Sequence, residues 1–157
     1  IEHAIIPKYI KHISSFAFYE CSKLSEIEFE ENSEIISIGK RSFSHCSFER
    51  ISIPSKVKKI DKSAFLYCQK LIDVEFSKEL ELDIIDKCAF SSSSITNIRI
   101  PSKIKEIKND AFSWCSNLEM IEFDENSCIE TIGEFAIAGA LISKMTIPSN
   151  VIELKEN

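Results

Sequence analysis

Apolar residues along this chain recur in short alternating runs. In Leu24-Ser25-Glu26-Ile27-Glu28-Phe29 the closing residues read apolar, polar, apolar, the signature of a strand with one buried face. The run returns at Leu71 to Phe76 and at Leu118 to Phe123, 47 residues further on each time. Between these copies stand Ile51-Ser52-Ile53, Ile98-Arg99-Ile100 and Met145-Thr146-Ile147, each predicting another short strand. Downstream, Val57 and Ile60, or Ile104 and Ile107, supply a second inward pair and predict a short strand on another face. Phe65, Cys68 and Leu71 then recur every three residues, which predicts a tight helical or 3₁₀ turn.

The same period governs the whole chain. Pro7, Pro54, Pro101 and Pro148 lie 47 residues apart, and residues 7–53, 54–100 and 101–147 superpose without a gap. Columns then align as Ala17, Ala64 and Ala111, as Phe18, Phe65 and Phe112, and as Cys21, Cys68 and Cys115. A half-period lies inside, because Phe18, Phe43, Phe65, Phe90 and Phe112 recur at alternating gaps of 25 and 22 residues. The unit is therefore a coil of about 23 residues, with roughly six and a half coils in 1–157. Each proline follows the last inward isoleucine of a strand, where a residue without an N–H ends the pairing. The prediction is a parallel sheet with one short strand per coil, in one uninterrupted array. Both ends fall in mid-pattern: Ile1, Ala4 and Ile6 occupy the columns of Phe48, Ile51 and Ile53, and the last apolar positions are Val151 and Leu154. We therefore expect a fragment of a longer array, able to associate end to end through exposed strand edges.

The motif Ile-Pro-x-x-Val-x-x-Ile-x-x-x-Ala-Phe-x-x-Cys-x-x-Leu resembles the BspA-type leucine-rich repeat. Ile38-Gly39 and Ile132-Gly133 match that family's Ile-Gly step, while Ser93 and Ala140 depart from the cysteine column and Ile137 from the phenylalanine column. The resemblance implies a right-handed, curved leucine-rich-repeat solenoid. It also implies display on large surface proteins of bacteria and protozoan parasites, with adhesion to host cells or matrix.

Composition narrows the chemistry. The chain is 44% hydrophobic and 28% charged, enough to bury a continuous core. A net charge of −6 without a basic stripe argues against nucleic-acid binding. No apolar run approaches the ~20 residues of a membrane helix, and no basic amphipathic helix offers membrane contact. Cys21, Cys68 and Cys115 are two coils apart, about 10 Å, beyond the ~7 Å reach of a disulfide. Cys46 lies one coil from both Cys21 and Cys68, and the favoured reading is a buried thiol ladder acting as small apolar filler. Cys88 and Cys128 sit off that ladder. No Cys-x-x-Cys, His-x-x-x-His, phosphate loop, Gly-x-Ser-x-Gly or His-Glu-x-x-His occurs, so neither a metal, a cofactor nor an enzymatic activity is expected.

Function then rests on the surface. Outward strand positions form two columns, Glu28, Ser52, Glu75, Arg99, Glu122, Thr146 and Glu26, Arg50, Asp73, Asn97, Met120, Lys144. In register, Glu26, Arg50 and Asp73 alternate in sign, as do Glu75, Arg99 and Glu122. Two readings stand: a self-paired solvated ladder, or a polar recognition face in which Arg50, Arg99 and Lys144 meet a protein partner. A second candidate surface is an aromatic ridge of Tyr67 and Trp114, in the column of Glu20, with Phe16 and Tyr19 nearby. Such rings are enriched in binding hot spots, but they also serve to cover apolar turns. Three roles follow: a surface adhesion module implied by the resemblance; an intracellular scaffold, favoured by unpaired cysteines and the lack of an Asn-x-Ser/Thr site; or a spacer.

Overall fold

The computed structural model describes residues 1–156. Coil by coil the strands are β1 (His3–Ile6) and β2 (His12–Ile13), β3 (Glu26–Phe29) and β4 (Ser37–Ile38), β5 (Arg50–Ile53) and β6 (Lys59–Ile60), β7 (Asp73–Phe76) and β8 (Ile84–Ile85), β9 (Asn97–Ile100) and β10 (Glu106–Ile107), β11 (Met120–Phe123) and β12 (Thr131–Ile132), and β13 (Lys144–Met145) and β14 (Glu153–Leu154). All pairings are parallel and join each coil to its neighbours. The chain is thus a solenoid of parallel strands with a long-strand face and a short-strand face.

The predicted periodicity is borne out in burial. Ile27, Ile51, Val74, Ile98 and Ile121 point inward, and the expected outward positions between them are exposed, apart from half-buried Met120. Phe18, Phe43, Phe65, Phe90 and Phe112 stack along the axis at centroid separations of 5.1, 5.4, 5.1 and 5.5 Å. Each coil lays one ring on the last, in the offset arrangement aromatic pairs prefer. Ala64, Ala89, Ala111 and Ala136 are fully buried beside them, whereas Ala17 in the first coil is exposed. Ile1, expected in the buried column of Phe48, is 66% exposed.

The expected helical turn is absent: no helix occurs among the described residues. Instead, alternate N–H groups point in different directions. Ala17, Tyr19 and Cys21 donate to the carbonyl three residues back, while Phe16, Phe18 and Glu20 donate to Lys40, Ser42 and Ser44 of the next coil. Two residues per coil take positive φ to allow this, including Glu20, His45, Tyr67, Ser92 and Trp114 at φ between 56° and 63°. Backbone bonds to the adjacent coil offset the ~1 kcal/mol or more that a side chain in this region costs.

The long-strand sheet is also less continuous than predicted. Hydrogen-bonded ladders join β1 to β3, β5 to β7, and β9 to β11 to β13, with breaks after β3 and β7. At each break the second strand is followed by a proline. Just past β3, β7 and β11, the N–H groups of Glu30, Ser77 and Asp124 donate to Ile6, Ile53 and Ile100 of the preceding coil at 3.1, 3.2 and 3.0 Å. Pro54 and Pro101 occupy the same place past β5 and β9 but have no N–H. Pro148 holds that place past β13, whose pairing with β11 is cut to two residues. The short-strand sheet carries no such residue and runs unbroken through all seven members.

The cysteine column is more than filler. Cys46, Cys68 and Cys115 turn their Sγ toward the carbonyls of Phe18, Phe43 and Phe90 in the preceding coil at 3.2, 3.0 and 3.2 Å. Ser93, which replaces one thiol, keeps the column polar through a 3.2 Å contact with Cys115 Sγ. No cysteine is bridged. Cys88 is half-buried and Cys128 exposed.

Candidate functional site: the long-strand trough and the aromatic ridge

An open trough of about 1740 Å³ runs over the outward face of β3, β5, β7, β9 and β11. Every second side chain of these strands projects into solvent, because one strand face is committed to the core. Glu28, Arg50, Asp73, Glu75, Arg99 and Glu122 line it, together with Lys56 and Lys78 beyond the strand ends. Glu26 is exposed beside it, and Lys144 lines its continuation over β13. The predicted outward columns thus share one surface.

Their pairing departs from the expected alternation. Arg50 is in register with Asp73, but among the described residues no ion pair within 4.0 Å links Glu26, Arg50 and Asp73. Glu26 and Glu28 instead face His3, at 3.8 and 3.9 Å. Glu75 accepts a 2.9 Å hydrogen bond from Ser52 Oγ. Arg99 turns away from Glu75 and donates through Nε to Asp124, past the end of β11. That hydrogen bond, with the charge of Asp124, holds the guanidinium pKa above its ordinary value. Pairing along a column assumes that each side chain stands over its own rung. Long exposed side chains reach diagonally instead, and Asp124 lies outside both strand columns.

Arg50, Lys56, Lys78 and Lys144 have no acidic partner among the described residues. Facing them are trough carboxylates such as Asp73, which has no ion pair within 4.0 Å among the described residues, and Glu122 and Glu125, which act on Arg99 from beyond that distance. The trough therefore keeps free charges of both signs, each able to pair with a partner's surface.

The second surface is the column with positive φ. It reads Glu20, His45, Tyr67, Ser92, Trp114 and Gly139. The predicted residues Tyr67 and Trp114 are both exposed, at 44% and 70%, yet they are two coils apart with Ser92 between. No ring contact joins them among the described residues. Tyr67 stacks on His45 at 5.0 Å, and His45 meets Tyr19 edge-on at 6.0 Å, with Phe16 packed against Tyr19 at 5.5 Å. The sequence did not place His45 in this column, because the 47-residue alignment skips every other coil. Trp114 leans over Gly139, whose absent Cβ would lie 2.9 Å from the ring.

Among the described residues, no cluster of three or more His, Cys, Asp and Glu is placed to hold a metal, and no helix is long and apolar enough to cross a membrane.

Comparison with known proteins places this geometry. A model of the BspA type leucine rich repeat region matches in six copies, over residues 1–87 and 36–157. A leucine-rich repeat protein from Bacteroides ovatus aligns with 26% identity and a TM-score of 0.78, over 99% of this chain and 45% of its own. A leucine rich cell surface protein from Faecalibacterium prausnitzii aligns with 26% identity and a TM-score of 0.59, over 79% of this chain and 39% of its own. The pneumococcal vaccine antigen PcpA, at 20% identity and a TM-score of 0.56, shares the fold over 96% of this chain and 51% of its own. The chain thus spans about half or less of the length of each of these structures. No curated protein matches it. Six matched repeats, a coil with two parallel strands and the cysteine and phenylalanine ladders agree: the chain belongs to the BspA-type leucine-rich-repeat family.

Proposed function

We propose that this array is a non-enzymatic protein-binding module, part of a cell-surface adhesin that contacts proteins of another cell or of the extracellular matrix through the long-strand trough. The observation that carries the reading is the trough itself: five successive strands offer exposed side chains of both signs, with Arg50, Lys56 and Lys78 unpaired among the described residues. Exposed charges in register with a partner's opposite charges raise encounter rate and select among partners. A repeat array supplies such a surface over a length that a small globular domain lacks. Placement outside the cell draws on the similarity to a leucine rich cell surface protein. One observation favours a second reading, an intracellular scaffold: all six cysteines are free, as is usual in reducing compartments.

Antibody labelling of intact and permeabilised source cells, with protease shaving as the control, separates the two. The adhesin reading predicts labelling of intact cells that shaving removes. Signal confined to permeabilised cells overturns it in favour of the scaffold.

A further inference from the structure

We propose that Lys40, Lys62 and Lys87, each two residues past a short strand, form a binding stripe for an anionic polysaccharide of the sulfated class. The three lie on successive rungs, because the N–H of Arg41 donates to the Lys62 carbonyl at 3.3 Å and that of Ser63 to the Lys87 carbonyl at 2.9 Å. In the sequence they stand 22 and 25 residues apart, so no basic run is visible there. None of them lines the trough, so the stripe stands or falls independently of the function proposed above.

Stacking like charges on adjacent rungs is unfavourable, and neither outward column of the trough places three cations together. The fold does not neutralise them in full. Asp61 pairs with Lys59 at 3.0 Å, Asp86 with Lys108 at 3.6 Å and Asp110 with Lys87 at 3.7 Å. These carboxylates leave Lys40, Arg41 and Lys62 without an ion pair within 4.0 Å among the described residues. The two end ammonium groups lean apart. Lys40 Nζ lies 6.0 Å from the ring centroid of Phe16 in the preceding coil, and Lys87 reaches toward Asp110 in the following one. Lys62 is left between them, and all three side chains are exposed. An anion brought to Lys62 draws both neighbours back, which turns a repulsive arrangement into charge-assisted contacts. Beyond Lys87 the same column continues as Asn109 and Glu134, joined by a 3.3 Å hydrogen bond from Asn109 Nδ2. The stripe therefore spans three rungs, about 10 Å, and ends against a carboxylate that turns an anion away.

This pattern selects the occupant. Lysine ammoniums are compact point charges without the flat fork of arginine, which suits anionic groups spread along a flexible chain. A sulfated polysaccharide carries such groups ring by ring, and a sugar ring is about as long as a rung is high. An extended acidic peptide turns side chains to one side only at every second residue, ~7 Å apart. Single-stranded nucleic acid seeks open aromatic faces for its bases, and Phe16, the exposed ring beside the stripe, lies under Lys40.

The net charge of −6 repels polyanions from the chain as a whole, so binding reports a local site. Isothermal titration calorimetry with a fully sulfated heparin hexasaccharide reads it. The parent should bind saturably at physiological ionic strength. Lys40→Gln, Lys62→Gln and Lys87→Gln in one chain should weaken binding about tenfold, the loss expected of three exposed ion pairs. Arg50→Gln, Lys56→Gln and Lys78→Gln in the trough remove the same charge and should leave the affinity at the parent's value. All six side chains are exposed, so both variants keep the fold, as circular dichroism checks. A parent that does not bind, a stripe variant that binds as well as the parent, or equal weakening by both variants overturns the proposal. Stripe-dependent binding of oligothymidylate or polyglutamate as tight as that of the hexasaccharide overturns the polysaccharide as the occupant.

Discussion

Phe65→Ala tests how the repeat is held together. Phe65 is fully buried and stacks on Phe43 at 5.4 Å and on Phe90 at 5.1 Å, with Phe48 edge-on at 6.4 Å. Truncating a buried phenylalanine costs ~3–5 kcal/mol. Losing stacked partners on both sides, each contributing ~0.5–1.5 kcal/mol beyond area, places this site near the top of that range, about 5 kcal/mol. Phe18 supplies the control, since it is the same residue in the same column. It is half-buried and stacks only on Phe43, at 5.1 Å, so Phe18→Ala costs about 2 kcal/mol. Urea unfolding followed by circular dichroism reads the difference. With an m-value of ~2–3 kcal/mol/M, the two midpoints lie about 1 M apart. Exposed Glu75→Ala stays within ~0.5 kcal/mol of the parent. Equal midpoints for the two phenylalanine variants would refute the view that stability resides in stacked interfaces between neighbouring coils.

Three further outcomes are expected. Ser42 stands in the alanine column, and its buried Oγ has no hydrogen-bond partner; Ser42→Ala should therefore raise stability by about 1 kcal/mol in thermal unfolding, and a decrease would contradict the unsatisfied hydroxyl. Burial pushes the Cys46 thiol up from 9.0 to about 12. Folding thus favours the protonated thiol, and its stabilisation is complete below pH 9 and lost as pH rises from there to about 12; Cys46→Ala should flatten this alkaline decline, and an unchanged pH slope would contradict it. Pro54→Ala restores the N–H missing opposite the Phe29 carbonyl, so the new backbone amide at that position should exchange slowly with solvent; free exchange there would show that the break after β3 has another cause.

The array was legible in the sequence because an interior stacked coil on coil repeats the same demand at each rung. Phe43, Phe65 and Phe90 need the same space, so their spacing discloses the fold. The turns were not legible, since positive φ falls on Glu20, His45, Tyr67, Ser92 and Trp114, which share no chemistry. Only Gly139 in that column advertises the backbone shape. Pro54 announced the end of a strand, but its effect on the ladder to the preceding coil depends on which carbonyl lies opposite, a property of two coils together. The trough positions followed from strand alternation alone, whereas the reach of Arg99 to Asp124 did not, because exposed long side chains are not confined to their rung. The aromatic ridge was half visible: aligning every second coil found Tyr67 and Trp114 and passed over His45.

The claim that the trough is the adhesive face is tested most directly by beads coated with the purified array and settled on cultured epithelial cells under flow. Parent beads should adhere above uncoated beads, and the Arg50→Glu, Lys56→Glu, Lys78→Glu variant should lose most of that adherence. A folded charge-reversed array that holds as well as the parent, or a parent array no better than bare beads, would contradict the account.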